Sequence, residues 1–117
     1  MVVNEQPMFR SRAVNHVALR VTDLARSRDF YVRLFGARVI GESATACFLE
    51  VGGGDFIALF PSEEPHVEQC CLTVDDYEPD KAAARLEAAG LTVRRAEDRV
   101  FFYDPDELLV QLSGPNP

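Results

Sequence analysis

The chain is poor in histidine and cysteine, the residues that supply imidazole and thiolate ligands and thiol redox chemistry. Its 117 residues include two histidines, His16 and His66, and three cysteines, Cys47, Cys70 and Cys71. The cysteines form no C-x-x-C pair, and neighbours on a strand point to opposite faces, so Cys70 and Cys71 do not suit a disulfide. They read as small buried hydrophobes in a reducing compartment. Positive charge is also scarce: 12 Lys and Arg stand against 19 Asp and Glu, a net charge of −7. Such a surface repels polyanions, which removes nucleic acid and acidic membrane surfaces as partners. No stretch approaches the roughly 20 apolar residues that span a bilayer, and the opening MVVNEQPMFRSRAV lacks the apolar run of a signal peptide. A cytoplasmic location is the expectation. The length suits one domain spanning residues 1–117, with a sizeable core.

What the sequence does contain is a diverged internal repeat. When residue n is laid over residue n+53, VTD at 21–23 falls on VDD at 74–76, Leu19 on Leu72, Phe48 on Phe101 and Leu59 on Leu112. GARV at 36–39 matches GLTV at 90–93 with an offset of 54, so the first helical region differs by one residue. Two copies of one unit, about 14–62 and 66–114 and joined by a linker at 61–68, account for this order.

Each copy has the same grammar. NHVALRV alternates, with Val17, Leu19 and Val21 on one face and His16, Ala18 and Arg20 on the other, as in a half-buried strand. A helix follows, with Thr22 or Asp23 as cap, Phe30 and Leu34 or Tyr31 and Phe35 at i, i+4, and Gly36 as the stop. In the second copy Pro79 suits the first turn, Ala82, Leu86 and Ala89 form the inner stripe, and Gly90 ends the helix. Each helix precedes a short β-rich run and a hairpin: CFLEV, GGGD, FIALF, then VFFY, DPDE, LLVQL. The unit is βαβββ and the fold class α+β. One helix covers one sheet face only, so the expected architecture is a curved mixed sheet around a cup, with helices outside.

The stretches NHVALRVTDLARSRDFYVRLFGA and RVFFYDPDELLVQL, in this order and across the repeat, resemble the vicinal oxygen chelate superfamily, which includes glyoxalase I, fosfomycin and bleomycin resistance proteins and extradiol dioxygenases. The resemblance implies a divalent metal in the cup. Its ligand positions fall on His16 and Gln69 in the first strands and on Ala58 and Gln111 in the last. Alanine cannot ligate, and no carboxylate stands at any of the four. Hard cations ordinarily need carboxylate charge to offset dehydration, and zinc prefers imidazole, thiolate and carboxylate.

With Ala58 facing the cup and the first hairpin centred on Gly53, Glu50 lies opposite Phe56 and Phe48 opposite Ala58. Phe48, Glu50, Phe56, Ala58 and Phe60 then share the cup face. Glu50 is a candidate general base, a reserve metal ligand, or the ion-pair partner of Arg20. Arg20 is the candidate anchor for a ligand carboxylate, phosphate or enolate. Gln69, Cys71 and Thr73 come from the second copy's first strand, and Phe101, Tyr103, Leu109 and Gln111 from its hairpin. Cys71 has no base beside it in this pattern and reads as lining. His66 lies off the ligand position, a linker or dimer-surface residue. DPDE resembles the family's usual DPDG, and Glu107 in place of glycine suggests a turn that is either strained or slightly different, because left-handed backbone costs a non-glycine residue roughly 1 kcal/mol.

Two functions fit these residues. One is a metal-free or weakly metal-binding protein that holds a small molecule in a mostly apolar cup. The other is a metal-dependent lyase, isomerase or dioxygenase acting on a small oxygenated substrate. The resemblance also implies a homodimer.

Overall fold

The computed structural model describes residues 7–115. The elements run β1 (Ser11–Val21), α1 (Leu24–Phe35), β2 (Arg38–Glu42), β3 (Cys47–Gly52) and β4 (Asp55–Pro61). They continue β5 (His66–Val74), α2 (Pro79–Ala88), β6 (Val93–Ala96), β7 (Arg99–Tyr103) and β8 (Leu109–Ser113). All eight strands join in one open, curved sheet, ordered β2-β3-β4-β1-β5-β8-β7-β6. The first strand of each half pairs in parallel with the last strand of the same half: Ala18 lies beside Ala58, and Cys71 beside Gln111. These two pairs differ by 53 residues at both members, so the sequence repeat is also a register repeat. β1 and β5 pair antiparallel at the centre and join the halves.

Local chemistry explains the elements. The Asp23 side chain accepts from the Arg26 backbone N–H at 3.0 Å and caps α1, while Gly36, at φ 69°, closes its far end. α2 begins on Pro79, whose missing N–H belongs to a first turn that needs no partner. The glycine turn after β3 takes positive φ at Gly53 and Gly54 and sets the expected register, Phe48 opposite Ala58 and Glu50 opposite Phe56. In the second hairpin the Asp104 carboxylate accepts from the N–H groups of Asp106 and Leu108, both at 2.9 Å. This holds Glu107 at φ 63°, the left-handed alternative of the two that its replacement of glycine left open.

Both helices pack on the same face of the sheet. α2 places Ala82, Ala83 and Leu86 on Val74, Val100 and Leu112. Ala83 takes the inner place expected of Ala89, because the helix ends at Ala88 and Ala89 turns into the exposed cap. α1 covers Cys47, Leu49 and Leu59 with Leu24 and Tyr31, yet has no buried residue of its own. β1 starts earlier than the NHVALRV stretch, and β5 already begins at His66, so the connection between halves spans only 62–65.

Three register shifts interrupt the central pairing; the first, between the Ser11–Val74 and Ala13–Thr73 pairs, leaves Arg12 as the extra residue. Between the Val14–Leu72 and His16–Cys71 pairs the extra residue is Asn15; between Ala18–Gln69 and Leu19–Val67 it is Glu68. Asn15 and Glu68 are again 53 apart, so each half carries one of these two bulges immediately before the position where the resemblance expects a ligand, His16 or Gln69. A bulge turns its extra side chain away from strict alternation, and both residues are aimed by it.

Candidate functional site

The face opposite the helices carries the residues expected of the cup. One row crosses all eight strands in register: Arg38, Glu50, Phe56, His16, Cys71, Gln111, Phe101 and Arg94. The adjacent row runs Gly41, Phe48, Ala58, Ala18, Gln69, then Leu109 and Tyr103, the last two paired with each other on β8 and β7. The floor is closed, with Ala18, Ala58, Cys71 and Gln111 buried; His16, Arg20, Phe48, Phe60, Gln69 and Tyr103 are half-buried.

In the first half the floor is aromatic. The His16 ring stacks on Phe56 with centroids 4.5 Å apart and planes 16° apart, and Phe48 meets Phe56 and Phe60 edge-on at 5.9 and 6.1 Å. Burial lowers the His16 pKa below its ordinary value, so the ring is neutral near pH 7. The bulge at Asn15 determines which ring nitrogen carries the proton. Asn15 Nδ2 lies 3.1 Å from Thr73 Oγ1 and 3.3 Å from the Gly114 carbonyl, which can only accept. The amide therefore aims Oδ1 at His16 Nδ1, 2.8 Å away, which makes Nδ1 the donor and leaves the Nε2 lone pair free.

The four metal-ligand positions do not fit a divalent cation. Ala58 offers a methyl group, and Gln69 Nε2 donates to Gln111 Oε1 at 2.9 Å, which engages the Gln111 oxygen and leaves Gln69 Oε1 as the only oxygen the amide pair could turn toward a cation. The cup carboxylates are also engaged: Glu50 with Arg38 at 2.6 Å and Glu68 with Arg20 at 2.7 Å. Among the described residues, no three His, Cys, Asp or Glu side chains gather as a metal shell. One imidazole cannot offset the dehydration of such an ion.

Of the three roles open to Glu50 in the sequence, the ion pair with Arg20 does not form: Arg20 takes Glu68, delivered by the bulge at that residue, and lies over the Phe60 ring at 5.1 Å. Glu50 takes Arg38, its cross-strand neighbour on the rim. Cys71 does have a base in register, His16, across the β1–β5 pair. Burial pushes the thiol to about 11, so Cys71 is an inert wall despite that neighbour. Thr73 supports the Asn15 amide instead of lining open space. His66 starts β5, exposed, with Nδ1 2.7 Å from the Glu64 carbonyl.

Sequence reasoning missed Arg94. It faces Phe101 across β6–β7, lies over that ring at 5.4 Å, and donates to the Tyr103 hydroxyl at 3.2 Å. Its position minus 53 is Gly41, where an added Cβ would sit 3.2 Å from Phe48. Applying the repeat through β6 locates Arg94 on the cup face.

Comparison with known proteins agrees with this architecture. The structure superposes on homoprotocatechuate 2,3-dioxygenase from Brevibacterium fuscum with a TM-score of 0.81 at 22% identity, covering 97% of this chain but 35% of that one. It also superposes on methylmalonyl-CoA epimerase from Mycobacterium tuberculosis, with a TM-score of 0.73 at 21% identity, covering 96% of this chain and 93% of that one. The chain thus spans about a third of the dioxygenase and nearly the whole epimerase. Residues 13–112 match the profile of the Glyoxalase/Bleomycin resistance protein/Dioxygenase superfamily, and the chain belongs to that superfamily.

Proposed function

We propose that this chain binds a small aromatic or amphipathic molecule in its cup without a tightly held divalent metal. The observation that carries the reading is that the Gln111 oxygen is taken by Gln69 Nε2 and that Ala58 and two neutral amides stand where a metal shell would need negative charge. The Phe48, Phe56 and Phe60 rings supply an apolar bed, the usual composition of a small-molecule site. His16 Nε2 supplies an acceptor for a ligand hydroxyl, and Arg20, already neutralised by Glu68, shapes the wall beside Phe60.

Thermal-shift and calorimetric titration with a panel of phenols tests this. Stabilisation in the presence of a chelator is expected; stabilisation only after Mn²⁺, Ni²⁺, Zn²⁺ or Fe²⁺ is added would overturn it. That second result would favour a metal-assisted lyase, isomerase or dioxygenase, a reading supported by the His16 lone pair at a ligand position.

Self-association into a homodimer also belongs to this proposal. Phe30, Leu34 and Phe35 are exposed on α1, and the Phe30, Tyr31 and Phe35 rings cluster within 6.2 Å of one another. Light scattering on the purified chain reads its mass directly: a monomeric mass at micromolar concentration removes the dimer.

A further inference from the structure

Three arginines face the cup, and they differ in what holds them. Arg20 and Arg38 each sit within ion-pair distance of a carboxylate, Glu68 and Glu50. Arg94 has no carboxylate at that distance among the described residues; its partners are the Phe101 ring and the Tyr103 hydroxyl. A guanidinium lying over an aromatic ring keeps the N–H bonds at its edge available. Tyr103 accepts the bond from Arg94 Nη1, so its own O–H remains free to donate. Charged N–H groups and a phenolic O–H thus converge on one spot above Phe101, beside Gln111 in the next strand. That is the donor set of an oxyanion site, and with a net charge of −7 the chain as a whole does nothing to attract an anion there.

We propose that Arg94 and Tyr103 form an anchor for an oxyanion, a carboxylate or a phosphate, borne by the molecule that the cup binds. The inference rests on the cup reading above and adds the charge of the ligand. The repeat makes the site one-sided. The equivalents of Arg94, Phe101 and Tyr103 are Gly41, Phe48 and Glu50, which offer a ring and an acid but no cation in the same place. A ligand is thereby oriented, anionic end toward β6 and β7, apolar end toward the Phe56 and Phe48 rings.

The test uses three probes on the full chain: 4-hydroxyphenylacetate, phenyl phosphate and the neutral 4-hydroxyphenylacetamide, titrated calorimetrically in chelator. At least one acid is expected to bind about tenfold more tightly than the amide, and Arg94→Gln to remove that preference. Whichever acid loses more in Arg94→Gln identifies the anchored group. Arg94→Lys should keep part of the preference, retaining charge without the planar fork. Arg95→Gln, whose guanidinium turns to the other face and pairs with Asp80, should keep all of it. Equal binding of acid and amide by the wild type, or a preference unchanged in Arg94→Gln, overturns the anchor while the cup reading stands. No binding by any probe removes the cup reading and the anchor with it. Circular dichroism of Arg94→Gln checks that the exposed site has not disturbed the fold.

Discussion

The two halves of the sheet share a topology and a register, yet they have been put to different uses. The first half has a histidine at its ligand position, stacked on a phenylalanine and tethered by an amide; the second has a glutamine bonded to another glutamine. The helices differ too. α2 buries Ala82, Ala83 and Leu86, whereas α1 buries none of its residues and leaves Phe30, Leu34 and Phe35 in solvent. The repeat therefore conserves backbone pairing, which every strand needs, and releases the side chains that face the cup or the solvent. One half supplies most of the aromatic bed, and the other supplies Arg94, a cup cation with no carboxylate partner among the described residues.

The largest test of this contrast is a pair of leucine truncations. Leu86→Ala, 3% exposed on α2, should cost about 2–5 kcal/mol in denaturant unfolding, because it leaves a cavity over Val100 and Leu112. Leu34→Ala, 55% exposed on α1, should stay within about 0.5 kcal/mol in the monomer. Equal costs would mean that α1 is packed in solution against something further.

Caps give a smaller contrast. Asp23→Ala removes the side-chain acceptor at the start of α1 and should cost about 1 kcal/mol, while Glu78→Ala at the start of α2, which makes no cap bond, should change little. Matching losses at the two helices would show that the Asp23 bond is not what distinguishes them.

The smallest effect is in pH dependence. The folded pKa of His16 lies below its ordinary 6.5, so below that pH the unfolded chain binds a proton that the folded chain refuses. Stability is complete above the ordinary value and falls as pH drops from there to the folded pKa. The difference in melting temperature between the wild type and His16→Gln should change across that interval and level off below it. A constant difference would place His16 in water.

Much of the fold could be read from the residues. Alternation in NHVALRV, the glycines after Val51 and the caps at Asp23 and Pro79 each act locally, and the repeat extends them across the chain. The hairpin register followed because the turn centre fixes every pair after it. What escaped were features that break local rules. Glu68 reaches Arg20 only because a bulge suspends alternation, and so the candidate partner was Glu50. Arg94 lies on a four-residue strand whose face is decided by pairing with β7, not by its own sequence pattern. The hydrogen bond between the Gln69 and Gln111 amides joins side chains 42 positions apart, and it occupies an oxygen at what position alone marked as a metal site.

The bulges at Asn15 and Glu68 set how such a duplicated scaffold can change. Each of the two residues stands outside the paired register, so its side chain is released from the strict alternation that fixes its neighbours. Asn15 became a neutral tether that sets a proton on the neighbouring ring, and Glu68 became a counter-charge that occupies an arginine. A sheet face of this kind can be retuned one residue at a time, from inside the sheet rather than from its loops.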